Sequence, residues 1–234
     1  MKEILTNTPM FGLLLTIVAY TIGHHLHNRW PYPIFTPLIF SVITIISLLI
    51  LFDIEYETFL LGGEFIHMMI TPATVSLAII LEKNFRYLKK HYPSIFLGVG
   101  IGTIAHTLVI IFFMILFEFD QQVFASFFSK SITTAIAISV SNSLGGIESL
   151  TIALVIVTGT LGSVLGPLLF KLTHITDPIA QGVALGSGAH AMGTSKAIQL
   201  GDVHGAMSGL SIILTGIAYV LLAPLTNFIY SISF

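Results

Sequence analysis

Cysteine is absent from this 234-residue chain, and charge is scarce, with Asp, Glu, Lys and Arg together making up 9%. Without cysteine there is no disulfide and no thiolate metal site, and the redox compartment stays unspecified. A soluble domain carries roughly 25% charged residues because its surface faces water. This chain has too few charges to cover such a surface, so lipid is its expected solvent. The charge that exists is nearly balanced, 9 basic against 11 acidic residues, which argues against nucleic acid as a partner. No Ser-His-Asp set, metal-ligand cluster or phosphate loop is evident, so the chain does not read as an enzyme and no metal or cofactor is expected. The stretch "GSGAHAMG" superficially resembles a dinucleotide fingerprint, but no strand–turn–helix pattern surrounds it. The opening "MKEILTNTPM" runs directly into an apolar stretch with no small-residue cleavage site, so no cleavable signal is expected.

What is present is apolar: 55% hydrophobic residues and a mean hydropathy of +0.96. The few charges punctuate it, and the gaps between them mark the spans. A helix crossing the hydrocarbon needs about 20 mostly apolar residues. Long uncharged gaps cover residues 4–28, 30–52, 92–117, 149–170 and 203–234, each long enough to cross once. Three shorter gaps, 65–81, 131–147 and 178–195, sit near the lower limit and are polar or glycine-rich: "TPATVS", "SITTAIAISVSNSLGG" and "GVALGSGAHAMGTSK". Such backbone is tolerated at membrane depth only where it is buried in protein or lines a watery cavity. Their Ile, Leu, Val and Ala content sets them apart from external loops. The expected fold is therefore an all-α integral membrane protein of about seven to eight spans, some interrupted or re-entrant. Residues 1–234 form one membrane domain, with 1–58 holding the first two spans and 59–234 the interrupted-helix core.

Lys83, Arg86, Lys89 and Lys90 cluster in "LEKNFRYLKKHY", which reads as a cytoplasmic amphipathic linker. Asp53, Glu55, Glu57, Glu118 and Asp120 then lie outside. A faint repeat runs through the middle. Thr71-Pro72-Ala73 precedes the "GVGIGT" beginning at Gly98 by 98 − 71 = 27 residues; Thr133-Thr134-Ala135 precedes the "GTLGS" beginning at Gly159 by 159 − 133 = 26. Packing need explains it as well as an inverted structural duplication does. Paired interrupted segments are nevertheless the sequence mark of a transporter's binding site.

An ionisable residue at membrane depth is costly and marks function unless it snorkels from a segment end. Lys130 opens "KSITTAIAI" and Lys196 closes "HAMGTSK". Their company is Ser131, Thr133 and Thr134 on one side, His190, Gly193, Thr194 and Ser195 on the other, with Thr71, Thr74 and Asn142 in corresponding polar stretches. Ammonium groups, hydroxyls and an imidazole beside broken helices suit a small anion, which helix N-termini also attract. His190 either meets substrate or a proton, or is a satisfied core histidine. His24, His25 and His27 lack a nearby carboxylate and read as a wet interface, not a metal site. Glu64 and His67, one turn apart, form either part of a proton path or an interfacial hydrogen bond. Asn142-Ser143 and Gly145-Gly146 read as a polar turn ending a half-helix.

The strings "TPATVSLAI", "SKSITTAIAI", "LGGIESLTIALVIVTGTLGSVLGP" and "DPIAQGVALGSGAHAMGTSKAIQLGDVHGAMSGL" resemble the LrgB/CidB family of bacterial membrane proteins. The likeness runs from about Gly12 onward and is densest from Lys130 to Leu210. It implies a multi-pass protein of the bacterial plasma membrane. The family is called antiholin-like because its members are linked to control of murein hydrolase activity and lysis, with a small holin-like partner of the LrgA/CidA type. Relatives, including a plant chloroplast member, look like carriers of short monocarboxylates such as glycolate, glycerate and pyruvate. The resemblance thus implies a small organic anion as cargo, with the bilayer and the holin-like protein as partners; a homo-oligomer is an open alternative to a single copy, which the residues do not decide. On that reading Lys130 and Lys196 neutralise the carboxylate, the neighbouring hydroxyls hydrogen-bond it, and His190 relays protons. The alternative is a regulator of lysis that carries nothing. Two departures stand out: Ala135 and Glu148 replace prolines common in relatives, and Glu148 sets an acid beside the expected site.

Overall fold

The computed structural model describes residues 8–30, 32–69, 72, 75, 79, 82 and 85–233. Among them there are nine α-helices, two short 3-10 turns and no strand. They fall into two compact units, Met1–Ala73 and Thr74–Phe234.

The first unit holds α1 (Pro9–Arg29), α2 (Pro37–Leu51) and α3 (Tyr56–His67). Helix α1 packs on α2 and α3 where side chains vanish: a Cβ on Gly12 would come within 3.1 Å of the Gly62 Cα, and one on Gly23 within 3.0 Å of the Pro37 Cα. Small residues let membrane helices approach this closely. The stretch 30–52, expected to cross as one span, is shorter than that. Pro33 sits in a 3-10 turn and Pro37 starts the helix, which runs for 15 residues. Proline lacks an N–H and is tolerated in a helix's first turn, so the helix begins there and measures about 22 Å, short of a 30 Å hydrocarbon core. Glu64 and His67 are both exposed, and no hydrogen bond joins them. The segment 65–81, with Thr71 and Thr74, and the basic Lys83 lie largely or wholly outside the described residues, as does the first member of the faint repeat.

The second unit contains α4 (Phe85–Phe117), α5 (Gln121–Phe128), α6 (Thr134–Ser143), α7 (Glu148–Leu172), α8 (Pro178–Leu200) and α9 (Asp202–Ser233). Arg86, Lys89 and Lys90 lie on the first two turns of α4, which bends at His91 (φ −119°, ψ 19°) just before Pro93. A proline removes a helical N–H and crowds the preceding turn, which accounts for the bend. Beyond it the helix is apolar on its outer face, with Leu97, Ile101, Ile104, Leu108 and Phe112 each more than half exposed. Such a stripe is unfavourable in water and ordinary in lipid. Helices α1, α4, α7 and the Asp202–Thr226 part of α9 are long and apolar enough to cross a membrane, while α2 is apolar but shorter.

Two elements of this unit are broken. Between α5 and α6 the chain makes a 3-10 turn at Ser129–Ser131 and passes through extended Ile132 and Thr133. Helix α6 then runs only ten residues, about 15 Å. It ends in a Schellman motif: Gly145 takes φ +78°, its N–H donates to the Asn142 carbonyl, and the Gly146 N–H donates to the Ser141 carbonyl at 2.8 Å. Helix α8 is interrupted at His190, whose φ of +42° and ψ of −130° are not helical. Both breaks fall in segments whose polarity and glycine content predicted them.

The broken elements are held by dense packing. Helices α8 and α9 form a hairpin turning at Gly201, and a Cβ on Gly182 would come within 2.6 Å of the His204 carbonyl oxygen. Gly182 and Gly186 make a small-xxx-small pair against α9. A core of Ala125, Phe128, Ile132, Ala137, Val140, Val155 and Tyr219 joins α5, the 3-10 turn, α6, α7 and α9. Helix α5 is started by Asp120, whose Oδ1 accepts from the Val123 N–H at 2.8 Å, and α8 by Asp177, which accepts from the Ala180 N–H at 2.8 Å.

Candidate functional site

Lys130 sits in the 3-10 turn that breaks α5 from α6. Among the described residues its ammonium has neither an ion pair nor a hydrogen bond. It lines a pocket of about 310 Å³ whose other walls are Ile110, Phe113, Phe117, Phe119 and Phe127. Electrostatically it acts on two histidines, His106 of α4 and His190 of α8. An unpaired cation among aromatic rings is costly to keep, and a counter-charge would remove much of that cost.

Three residues further on, Thr133 is the N-cap of α6 but its side chain makes no capping bond. Its Oγ1 is buried without a partner. A helix's first N–H groups have no intrahelical acceptor, and the aligned peptide dipoles give that end roughly half a positive charge. Lys130, the unpartnered hydroxyl of Thr133 and the first turn of α6 thus follow one another within a few residues of chain, and each favours negative charge. The other end of the site is set by α4 and α9. His106 Nδ1 and Tyr219 Oη share a hydrogen bond of 2.5 Å, and Ser131 reaches the same phenol. His106 Nε2 is buried without a partner. Tyr219 is itself fixed by its ring, packed 5.1 Å from that of Phe128.

His190 is differently engaged. Its Nε2–H donates to the Val155 carbonyl of α7 at 2.9 Å. Its ring lies over Gly159, where a Cβ would come within 2.6 Å of Nε2. Thr194 donates to the His190 carbonyl at 3.0 Å and shares a hydrogen bond of 2.9 Å with Ser208 on α9. Gly193 is buried against the Leu185 carbonyl across the break. These residues build the interruption in α8 and pin it to α7 and α9.

Not every residue singled out in the sequence joins this cluster. Ser131, Thr133 and Thr134 follow Lys130 along the chain, from the 3-10 turn into the first turn of α6. Lys196 Nζ instead donates to Gln199 Oε1 at 3.3 Å, three residues along its own helix, and Ser195 is exposed and bonded to the Ala191 carbonyl. Asn142 lies at the far end of α6, about 14 Å along the axis from Thr133. Its amide donates to Glu148 Oε2 at 3.1 Å. Glu148 thus belongs to the junction of α6 and α7, at the opposite end of the half-helix from Lys130, and does not oppose an anion there. A larger pocket, about 580 Å³, lies between α4 and α8, but Asp177 is its only charged wall and it offers an anion no cation.

His106 and Tyr219 were not singled out by the sequence reading. The signal was present: His106 is an ionisable side chain inside the long span "GIGTIAHTLVIIFF", which makes it a functional candidate by default. Marking spans by Asp, Glu, Lys and Arg alone passes over it. Tyr219 carries no such signal, since a lone tyrosine in an apolar span reads as an interface anchor or core.

No solved structure matches this chain. Its sequence from residue 16 to residue 228 matches the LrgB-like family, nearly the whole length. With the all-α architecture and the lipid-facing helices, that match identifies the chain as a membrane protein of the LrgB/CidB kind, and it belongs to the LrgB-like family.

Proposed function

We propose that this protein is a secondary carrier of short monocarboxylates such as pyruvate, glycolate or glycerate, crossing the bacterial plasma membrane several times and working beside a small holin-like partner. The observation that carries the reading is the unpaired Lys130 ammonium three residues from the unpartnered N-cap hydroxyl of Thr133. A carboxylate has one negative charge and two acceptor oxygens. Lys130 supplies the charge, while Thr133 and the first N–H groups of α6 supply donors. The short half-helix fits a carrier, because its positive dipole end begins at the buried, unpartnered hydroxyl of Thr133. Charge-assisted hydrogen bonds are worth about 1.5–3 kcal/mol each, enough to hold a small anion loosely and let it leave.

The test is uptake of labelled pyruvate and glycolate into proteoliposomes. The expected result is saturable uptake that Lys130→Ala weakens by about tenfold or more, the equivalent of one charge-assisted bond. Absence of saturable uptake by the unaltered protein, or uptake indifferent to Lys130→Ala, would sink the reading. A purely regulatory protein predicts the reverse pattern, with lysis control surviving the loss of Lys130 so long as the chain still inserts.

A further inference from the structure

We propose that His106, held by Tyr219, is the group that takes up and releases a proton together with each carboxylate. The inference rests on the carrier reading and deepens it. Three features of the pair support it. His106 lies within the apolar span of α4, yet one ring nitrogen is bonded and the other, Nε2, is buried with no partner. The bonded nitrogen faces a phenol, which can either donate or accept, so the 2.5 Å bond survives a change of protonation. Ser131, beside Lys130, reaches the same phenol and can turn its hydroxyl to suit.

The proton balance is simple. In neutral His106 with Nδ1–H donating to Tyr219 Oη, the lone pair of Nε2 is open. A proton binding there makes the imidazolium without altering the Nδ1–H···Oη bond, and its departure from Nε2 reverses the step. The titratable groups that act on His106 among the described residues are Tyr219 from α9 and Lys130 from the 3-10 turn, and Lys130 also acts on His190 of α8. No carboxylate is among them. Before cargo binds, Lys130 is the cation, and a second positive charge on His106 would be repelled in a low-dielectric site. A bound carboxylate cancels one charge and the imidazolium restores it. Proton and carboxylate therefore enter together, adding no net charge.

The experiment uses the full chain in proteoliposomes with labelled pyruvate. A gradient of one pH unit, inside alkaline, is expected to drive about tenfold accumulation by the unaltered protein, for one proton per anion. A membrane potential imposed with potassium and valinomycin is expected to have no effect. His106→Asn is expected to lose gradient-driven accumulation while pyruvate–pyruvate counterflow persists at a reduced, measurable rate. Tyr219→Phe, which keeps the ring against Phe128, is expected to shift the pH profile of accumulation. Accumulation by His106→Asn equal to that of the unaltered protein overturns the proposal. Loss of counterflow along with accumulation in both variants assigns the pair a structural role and overturns it too. An unaltered protein that transports pyruvate without responding to the gradient overturns the proton role alone. One that transports nothing overturns the carrier reading, and this inference with it.

Discussion

His190 shows how a single residue can hold a break in a membrane helix. A non-glycine side chain at φ +42°, ψ −130° is strained by about 1–3 kcal/mol. The buried bond to Val155 offsets part of this, since such a bond contributes about 0.5–1.5 kcal/mol net. The ring needs the bare face of Gly159 to reach that carbonyl. Gly159→Ala is therefore expected to displace the ring and destabilise the protein by about 1–3 kcal/mol, as overpacking of a core does. Gly188→Ala is the control, because a Cβ there meets nothing within 4 Å. It is expected to be neutral or stabilising by up to about 1 kcal/mol. Thermal unfolding of the two variants in detergent checks the pair. Equal melting temperatures would remove Gly159 as the seat of the break. Part of this was legible in the sequence, where glycines crowd His190 and permit a break. The bond to Val155 was not, because it joins residues 35 apart on different helices. The pairing of His106 with Tyr219 was hidden for the same reason: they are 113 residues apart, and only the packing of α4 on α9 brings them together.

At the scale of elements, α6 is a helix held from outside its own sequence. Ser126 on α5 ties the junction after it, accepting from the Ile147 N–H at 2.8 Å, and Ser141 shares a 2.7 Å hydrogen bond with Thr151 on α7. Its far end is thus bonded throughout while the Thr133 hydroxyl is left free. That asymmetry separates stability from binding. Thr133→Val removes a buried hydroxyl that pairs with nothing, so the melting temperature is expected to hold or rise. Anion binding is expected to weaken about fivefold, the value of one ordinary hydrogen bond. Thr133→Ser is expected to restore it. A fall in melting temperature with unchanged uptake would show that Thr133 is a structural cap after all. Both breaks were legible as elements, because polar and glycine-rich runs cannot persist as lipid-facing helix. The breaks do not reside in proline: Ala135 stands at the expected position, and the chain leaves the helix at Ile132 and Thr133 regardless. The overestimate of α2 came from counting charges alone, which is blind to prolines that delay a helix start.

For the molecule as a whole, scarcity of charge decided the solvent, since 9% charged residues cannot clothe a water-soluble surface. It also concentrates meaning in the charges kept inside, and Lys130 faces a pocket with no counter-ion among the described residues. The identity of the proposed anion was never legible in spacing, because hydroxyls and an ammonium recognise any small anion alike. The missing cysteines offer a direct way to ask. With none in the chain, one introduced thiol is the sole target of a maleimide. Thr134→Cys places it in the first turn of α6 beside Lys130, and Asn142→Cys places it at the other end of the same helix, exposed. If a carboxylate sits at the N-terminus of α6, millimolar pyruvate is expected to slow labelling of Thr134→Cys while leaving Asn142→Cys unaffected. Protection should fade when Lys130→Ala is added, because the charge that holds the anion is gone. Equal slowing at both positions would indicate a change of the whole fold in place of occupancy. No slowing at Thr134→Cys would leave α6 as a packing element and favour a protein that regulates without carrying. Lys130 bears on the choice most directly, since regulation by contact gives no reason to keep an unpaired ammonium against four phenylalanine rings.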